Sequence, residues 1–467
     1  MRTGPYRAGA GGPRRAYGPD RRQPGDQPQE PLGEDEEARG EGARIARAAV
    51  RCRWFVAVGC GGYASSQGGK AVILPGSRSN QVRRRTVTRN NPLRELIELG
   101  QSPWFDNIHR RMLEQGELQR LVEEDGLRGV TSNPTIFQKA IGGSDAYDAA
   151  IADALAAAPE LDAEGLFMHL ALADIRAAAD VLRPVWEQTD GADGFVSMEV
   201  SPELAWDTDR TIAQARELFA RVDRPNVMIK VPATREGLPA IEALIADGIS
   251  VNVTLLFSVQ RYTEVVESWL EGLRRRREAG LPVNDVQSVA SFFVSRVDNK
   301  ADPILQAAGD AGARELLGSA AIANARAAYA HMQRWLSGPR WPELAAVGAR
   351  PQRLLWASTG TKNPDYSDVL YVDRLVGRNT VTTLPPATWE AFRDHGAARP
   401  VLEDGDDGAA TLAALARHGV QMDTITAELE REGVQAFVDS YRDLLGTLQR
   451  KAAQLGATPA RGNAEGA

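Results

Sequence analysis

The sequence predicts a (β/α)8 TIM barrel with extra helices, and three features lead to that prediction. From residue 91 onward, eight short apolar runs alternate with long amphipathic stretches. Several runs are almost continuous in apolar and β-branched residues, which is typical of parallel strands buried on both faces. No G-x-G-x-x-G or G-x-x-x-x-G-K-[ST] motif follows any run, which disfavours the alternative, a doubly wound open sheet.

The predicted strands leave room for a helix after each one, as a barrel requires. In order, they span residues 102–108, 127–133, 194–200, 227–233, 250–257, 288–295, 354–359 and 379–384.

Helix signals lie between these strands. Asp207 or Thr208 can cap one helix, and Ser258 can cap another. A helix over 236–247 has leucine and isoleucine on one face and ends at Gly248. The longest predicted helix covers about 424–455, where apolar residues recur at spacings of three and four.

The first part of the chain differs in composition. Residues 1–90 carry 17 basic and 8 acidic side chains, a net charge of +9; the whole chain carries −7, so the remainder carries −16. Residues 1–88 are rich in Arg, Gly and Pro without a hydrophobic period, which predicts a disordered extension or a mis-called start, with import into an organelle a weaker alternative. The predicted barrel spans 89–457, and 458–467 form a predicted flexible tail.

Composition excludes several classes of function. Both cysteines, Cys52 and Cys60, lie in the extension, so the predicted barrel has no disulfide or cysteine nucleophile. The five histidines lack metal-ligand spacing and are interpreted as structural. The negative net charge argues against nucleic acid as a partner, and no apolar run reaches the ~18 residues of a membrane span. We therefore expect a cytoplasmic protein without a metal.

Lys230 is the most informative residue, because it interrupts the apolar run VMIKVPAT at 227–234. Burial favours the neutral form of a lysine amine, and a neutral amine can condense with a ketone or aldehyde to form a Schiff base. The alternative is an edge strand whose lysine only discourages aggregation.

Other strand ends also carry polar side chains, at the end of a barrel where active sites form. They are Asp106, Asn133, Glu199, Asn252, Thr254, Ser291, Arg296, Ser358 and Lys362. Each has a simpler interpretation: Asp106 could cap a helix, Asn133 could belong to a turn, and Arg296 could pair with Asp298. Carbonyl chemistry at Lys230 gives all of them a role together.

Five of these motifs resemble those of the transaldolase family, in the same order. They are GVTSNP at 129–134, SMEVS at 197–201, IKVPAT at 229–234, ISVNVTLLFS at 249–258 and SFFVSRVD at 291–298. The resemblance extends from about residue 91 to 454, and the segment 356–368 resembles the longer bacterial branch of the family.

The resemblance implies an α/β-barrel enzyme of the pentose phosphate pathway that transfers a three-carbon dihydroxyacetone unit between sugar phosphates. Sedoheptulose 7-phosphate and fructose 6-phosphate would be donors, and glyceraldehyde 3-phosphate and erythrose 4-phosphate acceptors. No cofactor is implied, and we expect a monomer or homodimer.

Matched by motif, Lys230 corresponds to the Schiff-base lysine, and Asp106 to the acid/base at the carbon–carbon bond. Glu199 and Thr254 correspond to the pair that holds a catalytic water. The substrate-binding positions are Asn133, Asn252, Ser291, Phe293, Arg296 and Ser358. Many relatives have an arginine shortly after the serine equivalent to Ser358; this chain has Lys362 there, which we assign to the second phosphate contact.

Two alternatives remain open. A related Schiff-base lyase would cleave a sugar phosphate without transfer, and a catalytically silent barrel would serve as a scaffold. The intact set Asp106, Glu199, Lys230 and Thr254 counts against the scaffold.

Overall fold

The chain folds into a closed eight-stranded parallel barrel. A computed structural model describes residues 91–456. In it, the strands follow one another in sequence order around the ring, and the last pairs with the first. This closure confirms the predicted barrel, and the open-sheet alternative is wrong. The predictions for residues 1–88 and 458–467 lie outside the described residues, as do the exact limits 89 and 457 of the predicted barrel.

All eight predicted strands are present, and each end lies within three residues of its predicted position. The strands are β1 Gln101–Phe105, β2 Gly129–Val130, β3 Phe195–Glu199, β4 Val227–Pro232, β5 Val251–Leu256, β6 Ser288–Phe293, β7 Arg353–Ala357 and β8 Thr380–Leu384.

Helices surround the strands and fill the longer connections. They are α1 Pro92–Glu98, α2 Arg110–Glu114, α3 Glu117–Arg120, α4 Pro134–Gly142, α5 Asp148–Ala157, α6 Ala163–Gln188, α7 Thr208–Val222, α8 Gly237–Asp247, α9 Val259–Glu278, α10 Ser295–Ala308, α11 Ala311–Glu315, α12 Ala320–Leu336, α13 Trp341–Ala345, α14 Leu370–Arg374, α15 Pro386–His395, α16 Ala409–Arg417 and α17 Met422–Gly456. A π-helical turn at Leu121–Asp125 and 3₁₀ turns at Pro202–Leu204 and Val401–Glu403 complete the elements. No helix within residues 91–456 is long and apolar enough to cross a bilayer.

The helix boundaries have the local causes that the sequence indicated. Asp207 accepts a hydrogen bond from the Arg210 N–H at the start of α7, and Ser258 accepts one from the Arg261 N–H at the start of α9. Gly248 ends α8 with φ of 90°, a left-handed conformation that glycine adopts without strain.

The C-terminal helix brings distant residues to the site. Helix α17 packs against α4, α5, α6 and α10, and also contacts β5. Gly433 permits this approach, because a β-carbon there would lie 3.1 Å from the Leu255 side chain. One turn further along, Phe437 reaches the cavity at the strand ends.

Candidate active site

A cavity of about 600 Å³ opens where the strands end. Nine of the eleven residues predicted for the site line it: Asp106, Asn133, Lys230, Thr254, Ser291, Phe293, Arg296, Ser358 and Lys362. The other two, Glu199 and Asn252, do not line it, but each contacts a residue that does. The barrel therefore brings together positions that are spread over more than half of the chain.

Lys230 lies inside the ring of strands with its side chain 6% exposed. Its strand β4 pairs with β3 on one side and β5 on the other, so the edge-strand interpretation is wrong. The Lys230 Nζ donates a hydrogen bond to the Ser132 carbonyl at 2.9 Å and lies 3.5 Å from the Glu199 Oε1. The amine is thus held by one carbonyl and one carboxylate at the base of the cavity.

Glu199 is the nearest acid to Lys230, since register pairs the two residues across β3 and β4. Burial raises the pKa of Glu199 to about 7, against the opposing effect of the Lys230 charge. The Glu199 carboxylate oxygens and the Thr254 hydroxyl are buried and have no hydrogen-bond partner among the described residues. These atoms can therefore accept or donate hydrogen bonds to a small polar molecule beside the amine.

Asp106 provides a second carboxylate, one residue beyond β1. Burial raises its pKa, whereas a hydrogen bond from Thr131 and the charges of Lys230 and Lys362 oppose this effect. The Thr131 hydroxyl lies 2.6 Å from the Asp106 Oδ1 and 2.9 Å from the Thr383 hydroxyl. Asp106 does not cap the following helix, because His109 caps α2 instead.

Asn133 both caps a helix and lines the cavity. Its side-chain oxygen accepts a hydrogen bond from the Ile136 N–H at 3.0 Å, which caps α4. The same residue lines the cavity, so the cap fixes the position of its amide group relative to Lys230.

Asn252 lies behind the cavity wall and is fully buried. Its oxygen accepts a hydrogen bond from the Ser291 hydroxyl at 2.6 Å, and its amide donates to the Ser197 hydroxyl at 2.9 Å. The direct effect of Asn252 in this structure is to orient Ser291, which does line the cavity.

Cations lie along the β6 and β7 side of the cavity. The Arg296 guanidinium carbon is 5.3 Å from the centre of the Phe293 ring, and burial lowers the pKa of this arginine. The predicted alternative, a pair with Asp298, is not formed, because Asp298 accepts from the Ala321 N–H and the Tyr371 hydroxyl. Lys362 is exposed on the loop after β7. Among the described residues, no carboxylate forms a salt bridge with Arg296 or Lys362, so both remain available to an anion.

Two non-glycine residues beside the cavity have left-handed backbone conformations. Leu255 has φ of 58° within β5, next to a register shift between Val253 and Leu256, and Ser358 has φ of 57°. The Ser358 hydroxyl also bonds the Ser295 hydroxyl at 3.0 Å. Such conformations are costly for residues with a side chain and concentrate at functional sites.

Several other residues that line the cavity were not assigned from the sequence, among them His109, Thr131, Lys139 and Phe437. Thr131 lies in the GVTSNP motif two residues before Asn133, and a hydroxyl at a strand end was a signal that could have been used. His109, interpreted as structural, caps α2 and also lines the cavity. Phe437, whose ring centre is 5.9 Å from the Lys230 Nζ, comes from a helix more than 200 residues later, and nothing local in the sequence indicates that contact.

Comparisons with known proteins agree with this architecture. The family model described as Transaldolase/Fructose-6-phosphate aldolase matches residues 103–448. A protein named Transaldolase from Mycolicibacterium paratuberculosis is 49% identical over 369 residues, which cover 78% of this chain and 98% of the relative. Proteins of the same name from Thermobifida fusca and Frankia alni are 49% and 47% identical, each over 79% of this chain and 99% of the relative. The chain therefore belongs to the transaldolase/fructose-6-phosphate aldolase family and is a transferase enzyme.

Proposed function

We propose that this protein is a transaldolase that transfers a dihydroxyacetone unit between sugar phosphates through a Schiff base on Lys230. The observation that carries the proposal is the buried Lys230 amine, held 3.5 Å from Glu199 in the same cavity as Asp106. The donors are sedoheptulose 7-phosphate and fructose 6-phosphate, and the acceptors are glyceraldehyde 3-phosphate and erythrose 4-phosphate. The names of the relatives support the reaction type.

The first chemical step joins Lys230 to the donor. The neutral amine attacks the C2 carbonyl, and a nitrogen–carbon bond forms as the carbonyl electrons move to oxygen. The amine is free to attack because Glu199 has taken its third proton through a water held with Thr254. One proton then moves from the nitrogen to the new oxygen, and Glu199 returns its proton so that the hydroxyl leaves as water. The nitrogen keeps one hydrogen, as an iminium. A carboxyl with a pKa of about 7 suits this role, because it can both accept and return a proton near neutral pH.

The second step breaks the sugar chain. Asp106 accepts the proton of the C4 hydroxyl, the C3–C4 bond breaks, and its electron pair moves into the iminium to form an enamine. The aldose phosphate leaves with a new aldehyde at the former C4. An acceptor aldehyde then takes up the enamine in the reverse sequence, with Asp106 returning the proton to the new hydroxyl.

The other lining residues bind the sugar. Asn133 and Ser291, with Asn252 behind Ser291, hold the hydroxyls of the three-carbon unit. Arg296, beside Phe293, binds the phosphate, and Lys362 and Ser358 provide the second contact. Arginine and lysine without carboxylate partners suit a dianionic group.

The iminium serves as the electron sink, so the proposed reaction requires no metal or other cofactor. We place the enzyme in the cytoplasmic pentose phosphate pathway. The oligomeric state, a monomer or a homodimer, stays a prediction. So does the assignment of residues 1–88 to a disordered extension or a mis-called start.

Trapping the intermediate tests the proposal. Borohydride reduction in the presence of fructose 6-phosphate should add a three-carbon unit to Lys230, as located by mass mapping. Lys230→Arg should take up no label, whereas the control Lys300→Arg, on a half-buried lysine paired with Glu432, should be labelled normally. A label on a different lysine would refute the assignment.

A lyase is the second candidate, since the family model includes fructose-6-phosphate aldolase. Leaving out the acceptor separates the two activities, because a transferase retains the enamine and releases almost no free dihydroxyacetone. Release of free dihydroxyacetone without acceptor, as fast as the transfer reaction, would favour the lyase.

A further inference from the structure

A cation on the opposite side of the cavity has no part in the reaction described so far. Lys139 lies on α4, on the helix face that lines the cavity together with Thr135, Ile136 and Ala140. Lys139 is exposed, and among the described residues no carboxylate forms a salt bridge with it. It lies six residues beyond Asn133, or about 9 Å further along the helix axis.

The barrel places this lysine across from the first phosphate contacts. Helix α4 follows β2, and Arg296 follows β6, four strands away in a ring of eight. Lys230, on β4, lies midway between the two. A sugar chain attached to Lys230 therefore has cationic groups on two sides of the same cavity.

His109 adds a second hydrogen-bond donor to the cavity lining, on the loop after β1, the strand next to β2. Its Nδ1 accepts a hydrogen bond from the Met112 N–H at 3.1 Å. An Nδ1 that accepts places the ring proton on Nε2, so the other edge of this cavity-lining ring offers an N–H. The loop itself is anchored, because Arg110 donates to the buried Asp174 at 2.9 Å and the Tyr147 hydroxyl donates to the same carboxylate at 2.8 Å.

The two proposed donors carry their phosphates at different distances from Lys230. Both donors join Lys230 through C2, but the phosphate is on C6 in the six-carbon donor and on C7 in the seven-carbon donor. Lys362 follows β7 and Asp106 follows β1, the two strands on either side of β8, so Lys362 lies on the side of the cavity where Asp106 acts on C4. A longer chain must place its phosphate elsewhere or fold back.

We propose that Lys139 and His109 form a second phosphate position that selects the seven-carbon ketose phosphate, whereas Arg296 and Lys362 hold the phosphate of the six-carbon one. This inference rests on the proposed transaldolase function.

Steady-state kinetics with both donors tests the proposal. Lys139→Ala should raise KM for sedoheptulose 7-phosphate about tenfold and KM for fructose 6-phosphate less than about twofold, with kcat unchanged; tenfold corresponds to about 1.4 kcal/mol. Lys139→Arg keeps the charge and should retain the wild-type ratio of the KM for sedoheptulose 7-phosphate to the KM for fructose 6-phosphate. His109→Asn keeps a side chain that can cap α2 but lacks the Nε2–H, and should shift the ratio in the same direction.

Arg450→Ala is the matched control. Arg450 shares an outer groove with Lys139 but does not line the cavity, so its removal should leave both KM values unchanged. Equal changes for the two donors in Lys139→Ala, or no change, would overturn the second phosphate position. So would an Arg450→Ala effect as large as that of Lys139→Ala, because it would indicate general attraction of anions. If wild-type protein neither transfers nor becomes labelled at Lys230, the proposed function itself fails.

Discussion

Replacing Thr131 by valine should slow carbon–carbon cleavage at acidic pH without changing Schiff-base formation. The Thr131 hydroxyl donates to the Asp106 carboxylate at 2.6 Å, and this bond holds the pKa of Asp106 below the value that burial alone would give. Valine has a similar shape but no hydroxyl. In Thr131→Val, Asp106 is therefore protonated at a higher pH than in the wild type, and a protonated Asp106 cannot accept the C4 proton.

The size of the effect follows from the contact. A hydrogen bond to a charged group contributes about 1.5–3 kcal/mol, and each 1.4 kcal/mol changes the ratio of charged to protonated carboxyl tenfold. On the acidic limb, the cleavage rate should thus fall about tenfold to a hundredfold. At high pH, where Asp106 is charged in both proteins, the rates should agree within about threefold.

The assay separates the two steps. Release of glyceraldehyde 3-phosphate from fructose 6-phosphate in a single turnover reports cleavage, and borohydride trapping reports Schiff-base formation. Thr383→Val is the matched control, since it removes the 2.9 Å contact with Thr131 but not the bond to Asp106. An unshifted acidic limb in Thr131→Val, or an equal shift in Thr383→Val, would refute the role given to Asp106.

Three further predictions concern other parts of the molecule. Because burial raises the pKa of Glu199 to about 7, Schiff-base trapping should slow as the pH falls through 7 and this carboxylate becomes protonated. Glu199→Gln should form the trapped product slowly at every pH, without this dependence. A wild-type trapping rate that stays constant from pH 8 to 5 would contradict this role. Arg296→Ala should raise KM for fructose 6-phosphate with little change in kcat, and an unchanged KM would remove Arg296 from the phosphate site. Asp174→Ala breaks a buried pair with Arg110 and should lower the free energy of unfolding by about 3–5 kcal/mol in urea titrations. Glu217→Ala, which removes an exposed pair with Arg221, should cost less than about 1 kcal/mol, and equal losses would contradict the difference in burial.

Much of the fold could be predicted from the sequence, because its causes are local. Eight apolar runs form the eight strands, and Asp207 and Ser258 cap the helices that begin at the next residue. Each of these effects involves residues that are close together in the sequence. Strand ends in a barrel share one face, so polar residues there were expected to meet. Lys230 and Glu199 do meet, and register places them side by side on β4 and β3.

The rest of the site depended on contacts between distant parts of the chain. Phe437 reaches Lys230 only because α17 folds back over the strand ends, and Gly433 lets that helix approach. The contact of Asn252 with substrate stays a prediction, and only the structure shows that its amide nitrogen and oxygen bond Ser197 and Ser291.

The sequence by itself determined the spacing of apolar residues in each strand and helix and the polar character of the strand ends. Both follow from local side-chain chemistry. Only the tertiary structure decided which polar groups share a hydrogen bond, as Thr131 and Asp106 do, and which cations face the same cavity, as Lys139 and Arg296 do. The physical reason is that hydrogen bonds and charge interactions depend on distances of a few ångströms between strands, and closure of the barrel sets those distances.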